Sequence, residues 1–394
     1  MRFFETIGSA IVIAYDDRPV LTTDAWIDGD AYFGSWGLDY AIPAAQMQAI
    51  RDAEYHWFSH GHPDHTNIAS LPMLTKGEFL LSDHYGNRIE FGESFRIRQM
   101  ARHFKEVYLL QLHGWGGADM LNLFDPSGCK LTSIAEKRRP IAPRSQTSAR
   151  TMGANRVIPF SSFHRYQRED SAWANELIPD LEDYCSEAME NWPEILPALV
   201  RVDCETDEIT PIDPPRSPRI VKKPEEFGDS WSDQLTAEDK GRIRQYFSAR
   251  EALRKNFGFI EVSAGGSSVT VDLNRAKRDV GIRFECPRNS LMSCIEHELF
   301  DDLLIGNYMR TTLFNVEALY PNFTPYVAKY ADNGGAKTMR ELGAYFCHYF
   351  MRDPVAHALR HLVDGSEMVL RAVLPEQSPM FRAAKRVYYD LMTR

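Results

Sequence analysis

Between Phe58 and Pro72 the chain reads FSHGHPDHTNIASLP, which puts His60, His62, Asp64 and His65 within six positions of a chain holding 12 histidines. This cluster constrains the local fold more than any other feature. Its three histidines do not fall at the i, i+4 spacing of paired ligands on a helix. Pro63 removes an amide donor and Gly61 loosens the backbone, so a continuous helix through the cluster is disfavoured. The preceding YHWF reads as a short strand of aromatic residues. The following TNIASLPML is expected to open as a short helix capped by Thr66. The cluster therefore lies just beyond the C-terminal end of a strand and before a helix, where α/β sheets favour ligand sites.

The chemistry explains the pattern H-x-H-x-D-H. In a loop, alternate residues project to one side, so His60 and His62 are spaced to chelate one ion, with Asp64 and His65 turned toward a neighbouring point. Imidazole suits zinc and iron, and a carboxylate compensates charge or orients water. The competing reading is a solvated polar loop. Three histidines and an aspartate directly after a buried strand argue against it.

The rest of the chain narrows the class. A net charge of -10 opposes phosphate backbones, so nucleic acid is not an expected partner. With 44% hydrophobic and 25% charged residues, this is the composition of a globular chain that can bury a large core. The six cysteines, at 129, 185, 204, 286, 294 and 347, form no CxxC, which speaks against a disulfide framework. Cys294 and His297 form a CxxH, but the CxH that a Rieske centre also needs does not occur. Cys294 is therefore expected to be a buried helix residue. The opening MRFFETIGSAIVIAYDDRPVL lacks the long apolar run of a signal peptide, and no later stretch has the length of a membrane span. A cytoplasmic protein without a membrane span is expected.

AIVIAY and PVLTTDAWI read as paired strands around Asp16-Asp17-Arg18, and PAAQMQAIRDA as a helix. KEVYLLQL and NRVIPFSSF are β-prone, with a helix, TSARTMGA, between them. PIDPPRSPRIVKKPEEFGDSW, rich in proline and charge, reads as a linker or an arm wrapped on the surface. TAEDKGRIRQYFSAREALRKNFG is an amphipathic helix with Gly258 as its stop, and FIEVSA and SVTVDL pair through Gly265-Gly266. The reading is an α+β chain with a metal-binding domain over residues 1–205, a linker or arm over 206–235, and a mixed α+β, mainly helical C-terminal domain over 236–394.

The H-x-H-x-D-H loop after an apolar strand resembles the signature of the metallo-β-lactamase superfamily, and VLTTDAWI resembles that superfamily's early strand ending in an aspartate, here Asp24. AYFGSW, LQLHGWGGADMLNLF, IPFSSFHRY and ELFDDLLIGNYMRTT are similar to segments of the CMP-N-acetylneuraminate hydroxylase group and its bacterial relatives. The resemblance implies an αββα sandwich, shortened here, with one or two zinc or iron ions at one edge. It implies His60, His62, Asp64 and His65 as ligands, and His164, after a strand, as the last ligand histidine. His84 and His113 are weaker candidates, and Gly114, Gly116 and Gly117 suggest a tight loop over substrate. Two departures stand out. There is no Rieske domain, and the stretch from Glu90 to Lys105, where the family supplies an aspartate bridging two metals, contains no aspartate. A reduced site is expected.

The leading function is metal-dependent hydrolysis of a small-molecule substrate, with Asp64 holding a second ion or orienting the attacking water. An iron-dependent oxygenase acting on a sugar-like substrate is the alternative. It would take electrons from a separate ferredoxin or reductase. A binding protein with a degenerate site is the third reading, and a homo-oligomer is compatible with all three. In HELFDDLL, Glu296, Glu298, Asp301 and Asp302 read first as an acidic helix face, and second as groups reaching the site from the C-terminal domain.

Overall fold

A computed structural model describes residues 1–81, 100–112, 121–131, 140–161, 163–352 and 354. The fold is mixed α+β with several sheets. The chain opens with β1 (Phe3–Ile7), β2 (Ile11–Tyr15) and β3 (Pro19–Thr23), an antiparallel meander that turns at Asp16-Asp17-Arg18 as expected. β4 (Trp36–Leu38) follows. Helix α1 (Ala44–Asp52) then crosses over to β5 (Tyr55–Phe58), which lies parallel to β3, and β6 (Glu78–Leu81) adds parallel to β5. The crossover carries the chain back to the same end of the sheet, so β3 and β5 both deliver their C-terminal ends to one edge. Asp24 leaves one of these ends and the histidine loop leaves the other.

Next come β7 (Tyr108–Gln111), β8 (Leu123–Phe124), α2 (Ala142–Met152), β9 (Arg156–Pro159), β10 (His164–Tyr166), β11 (Glu194–Ile195), β12 (Val200–Asp203) and β13 (Ile209–Pro211). The first sheet runs β13-β12-β1-β2-β3-β5-β6; a three-stranded parallel sheet runs β11-β9-β7, and β4 pairs antiparallel with β10. Apolar alternation decides which faces meet. Ile7, Ile11 and Ile13 pack with Ile50 of α1, whereas Phe4, Val200 and Val202 pack on Ile158 and Leu196 beside β9 and β11. Behind β9, Val157 packs on Ala149 of α2.

The C-terminal half contains α3 (Ala237–Ala249), β14 (Phe259–Ala264), β15 (Ser267–Asp272), β16 (Gly281–Glu285), α4 (Arg288–His297), α5 (Phe300–Gly306), β17 (Arg310–Phe314) and α6 (Met339–Arg352). Its sheet runs β15-β14-β16-β17-β8, so a strand from the first third of the chain completes it. A mixed α+β, mainly helical domain was the expectation, and both element types are present. The described part is a five-stranded sheet whose aromatic core, including Phe247, Phe284, Phe300 and Phe323, is covered by helices. Thr236 caps α3 through a reciprocal box with Asp239. The helix ends at Ala249 and passes into a 3-10 turn, well before Gly258. Gly258 answers a different need, because a Cβ there would meet the Lys277 carbonyl oxygen at 2.0 Å.

The proline-rich arm lies on the first half of the chain. Ala41 N–H donates to Pro215 O at 2.9 Å and Ser217 N–H to Asp39 O at 2.8 Å. Further on, Lys222 N–H donates to Gln167 O at 2.8 Å, and Phe227 covers Gly34, where φ is +81° and a Cβ would meet the ring at 2.2 Å. The halves are joined by buried polar contacts. Ser35 donates to Gly306 O at 2.6 Å, and Asn307 accepts from Leu121 N–H and donates to the Tyr166 hydroxyl, both at 2.7 Å. Among the described residues no helix is long and apolar enough to cross a membrane.

Candidate metal centre

The loop after β5 is held by its own side chains. The expected helix over TNIASLPML is replaced by turns and a 3-10 turn at Leu71–Met73. Polar side chains there bond the backbone instead of leaving it to a helix. Asn67 donates to Pro63 O at 2.9 Å and accepts from Ala69 N–H at 2.9 Å, while Ser70 accepts from Ile27 and Asp28 N–H at 3.0 Å each. Thr66 caps nothing. Its hydroxyl donates to His60 O at 2.7 Å and closes the loop on itself.

Asp24 orients one side of the cluster. It has a left-handed backbone, with φ of 40°, and accepts from Ser59 N–H at 2.7 Å and the Ser59 hydroxyl at 2.8 Å. Its Oδ2 is 3.1 Å from His65 Nδ1, which leaves His65 Nε2 facing Asp64 Oδ2 at 3.4 Å. The other oxygen of Asp64 accepts from the Tyr32 hydroxyl. Tyr32 and Phe33 also have positive φ, of 52° and 55°. Consecutive non-glycine residues in that region are uncommon and cluster at functional sites. Sequence reasoning missed Tyr32 as a site residue; AYFGSW drew notice only through resemblance.

His62 links two groups. Its Nδ1 lies 2.9 Å from His60 Nε2, and its Nε2 lies 3.0 Å from Asp301 Oδ2. Donor atoms of His62, Asp301 and Asp302 all fall within 4.8 Å of one another. Asp301 and Asp302 are 8% and 7% exposed, and the Oδ1 of each is buried without a hydrogen-bond partner. Of the acidic quartet, these two reach the histidine loop. Glu296 instead pairs with Arg242 at 3.3 Å, and Glu298 with Lys337 at 2.5 Å.

These positions set the charges. Burial, reinforced by His65 and His62, drives His60 down to about 3, so its imidazole is neutral at pH 7 and able to ligate a metal. Burial opposes charge on His65, but Asp64 and Asp24 outweigh it and lift the ring to about 10. For His62 the Asp301 contact likewise overcomes burial, and the pKa rises. Burial would lift Asp64; the neighbouring His65 and His62 and the Tyr32 hydrogen bond instead hold it below the usual carboxylate range. Asp302 is raised to about 7, first by burial and then by the charge of Asp301.

His164 lies elsewhere in the same aromatic stack. Its ring is stacked on Trp36 with centroids 3.3 Å apart, Trp36 meets Tyr32 at 4.6 Å, and Tyr32 meets His62 at 6.2 Å. Two aromatic layers thus stand between His164 and the loop. His164 also lines a cavity of about 320 Å³ with Tyr40, Arg165, Arg216 and Ile220, which none of the loop histidines lines. Cys294 is a buried core residue whose thiol is pushed up by burial, and His297 is exposed. His84, His113, Gly114, Gly116 and Gly117 lie outside the described residues, as does most of the stretch from Glu90 to Lys105. No protein-family model matches the chain, and no curated protein and no solved structure is significantly similar to it.

Proposed function

We propose that the chain is a metal-dependent hydrolase of metallo-β-lactamase-like architecture, with zinc or iron held by His60, His62, Asp64 and His65. The layer order supports the architecture: α1, the first sheet, the β11-β9-β7 sheet and α2 pack in succession, with the histidine loop at the end of β5. The observation that carries the function is the gathering of three half-buried imidazoles and the buried Asp64 in one loop, with His60 Nε2 2.9 Å from His62 Nδ1 and His65 Nε2 3.4 Å from Asp64 Oδ2. Two donors on one tetrahedral ion at ~2.05 Å stand roughly 3.3 Å apart. The 2.9 Å between His60 Nε2 and His62 Nδ1 is near that spacing and His60 is neutral, which supports a shared ion at that pair, whereas His62 and His65 would have to give up the protons their carboxylate partners hold on them in order to ligate.

When bound, the ion lowers the pKa of water toward neutrality and polarises the scissile group. The chain does the rest. Asp24 fixes the His65 ring through Nδ1, the outer-shell arrangement that orients ligand histidines. Asp64, held ionised by His65 and His62 and by the Tyr32 hydrogen bond, would ligate a second ion or, where one ion binds, orient the attacking water by accepting a hydrogen bond from it. Tyr32 donates to Asp64 and is backed by an edge-on contact with Trp36, which holds its hydroxyl in place.

The test is metal analysis of protein purified without added metal, beside His62→Ala. The parent is expected to carry zinc or iron and to hydrolyse members of an ester, lactone and nucleotide-sugar panel. Activity should fall on chelation and return with metal. His62→Ala should lose most of the metal with its circular dichroism unchanged. Equal metal content in the two proteins, or oxygen consumption in place of hydrolysis, overturns the reading.

A further inference from the structure

We propose that Asp301 and Asp302 are metal ligands, and that with His62 Nε2 they form a second divalent-cation position tying the C-terminal sheet to the histidine loop. This deepens the metal-dependent reading and rests on it, because His62 is shared.

The orientation of His62 is the starting point. Its Nδ1 faces His60, so the nitrogen aimed at Asp301, 3.0 Å away, is the other one. A single ring nitrogen does not serve both directions. The loop cluster and the carboxylate pair are therefore two donor sets on opposite edges of one imidazole, which holds an ion on each edge only as the imidazolate, its ring proton passing to solvent as the second ion binds. The second set is compact, with donor atoms from all three residues within 4.8 Å.

The state of the carboxylates points the same way. Both residues are buried, at 8% and 7% exposure, and each leaves Oδ1 buried without a hydrogen-bond partner. Among the described residues neither forms an ion pair with lysine or arginine, and the only such contact of Asp301 is His62. Adjacent buried carboxylates repel one another and are costly to desolvate without a counter-charge. A cation coordinated by both relieves the repulsion and uses the unpartnered oxygens. One imidazole nitrogen and two carboxylate oxygens suit a transition ion such as zinc, iron(II) or manganese(II). The donors span 239 residues of sequence, from His62 to Asp301, so the ion would cross-link the two halves.

The experiment is zinc binding to the full chain, measured by equilibrium dialysis with elemental analysis, for the parent, Asp301→Asn/Asp302→Asn and His60→Ala/His65→Ala. Two equivalents are expected in the parent. The Asp301→Asn/Asp302→Asn protein should lose about one and keep the other. His60→Ala/His65→Ala should weaken the loop equivalent at least ten-fold and leave zinc protection at Asp301. If the asparagine variant binds as many ions as the parent with equal affinity, the proposal fails and the loop site stands. If the parent binds none, both readings fail. Hydrogen exchange of the parent with and without zinc needs no variant. Zinc is expected to slow exchange over residues 299–306 as well as 60–66, and protection confined to 60–66 overturns the proposal.

Discussion

Replacing Arg168 with methionine tests whether the two halves of the chain are one cooperative unit. The Arg168 side chain is fully buried. It donates to Asp170 Oδ1 and Oδ2 at 2.9 and 3.1 Å, to Phe33 O at 3.0 Å and to Asp229 Oδ2 at 2.7 Å, and its guanidinium lies 4.0 Å from the Tyr308 ring centre. Asp229 also accepts from Ser290 N–H, at 2.9 Å, and from the Ser290 hydroxyl, in the first turn of α4. One ion pair thus connects the segment after β10, the proline-rich arm and the C-terminal half. Removing one partner of a buried pair costs roughly 3–5 kcal/mol, because the other charge is stranded. Asp229 keeps Ser290 and Asp170 keeps Trp231, so the lower end applies. About 3 kcal/mol is a factor of roughly 10² in the ratio of folded to unfolded chain. Urea unfolding followed by tryptophan fluorescence measures it, read as the midpoint shift multiplied by m. Adding Asp229→Asn should recover part of the loss, since no charge is then stranded. A loss under about 1 kcal/mol, or a double variant with strictly additive losses, would refute the reasoning.

Three further outcomes are expected. Tyr32→Phe removes a donor to Asp64 without changing the ring, and should weaken zinc binding by roughly ten-fold, as loss of an outer-shell partner does; unchanged affinity in a competition titration would sink this. His56 is buried between Thr22 and Lys76 O, and burial lowers its pKa, so the unfolded chain takes up the proton first. Its contribution is therefore flat above about 6.5 and turns against the fold as pH drops below it, and the slope of stability between pH 7 and 5 should be shallower in His56→Gln than in the parent. Gly34→Ala must displace Phe227 and strain a left-handed backbone, at roughly 1–3 kcal/mol, and should expose the arm over residues 216–230 to proteases; an unchanged digestion pattern counts against that docking.

Much of the fold was legible where its causes are local. The Asp16-Asp17-Arg18 turn, the β5 strand leading into the histidine loop, and the Gly265-Gly266 hairpin each depend on a few neighbouring residues, and each formed as read. The failures are non-local. TNIASLPML has helical character by pattern, but Ser70 accepts from Ile27 and Asp28 N–H, 43 and 42 residues back, which no window of sequence contains, while Asn67 turns to Pro63 O nearby. The Leu123–Phe124 strand is too short to carry any periodicity. At the site, the loop residues were legible because one loop holds them. Asp301 and Asp302 read first as an acidic helix face and only second as groups reaching the site, since their nearness to His62 depends on how α5 meets a loop 239 residues away. His164 was noticed for its position after a strand, whereas stacking on Trp36 depends on the pairing of β4 with β10.

The placement of β8 has a consequence for how the protein is made. Leu123 pairs with Thr311, so one edge of the C-terminal sheet is synthesised 188 residues (311 minus 123) before the strand it lies against. At about 5–20 residues per second the early segment waits roughly 10–40 s for its partner. The first sheet has the same property, since β1 finds β12 only after some 200 residues, with Phe3 opposite Asp203. The first sheet cannot be completed before residue 211 is made, nor the C-terminal sheet before residue 314. Such long-range closure is slow, and unpaired strand edges are templates for association between nascent chains. The productive yield of this protein in a cell should therefore depend on elongation rate and chaperone supply more steeply than its final stability would suggest.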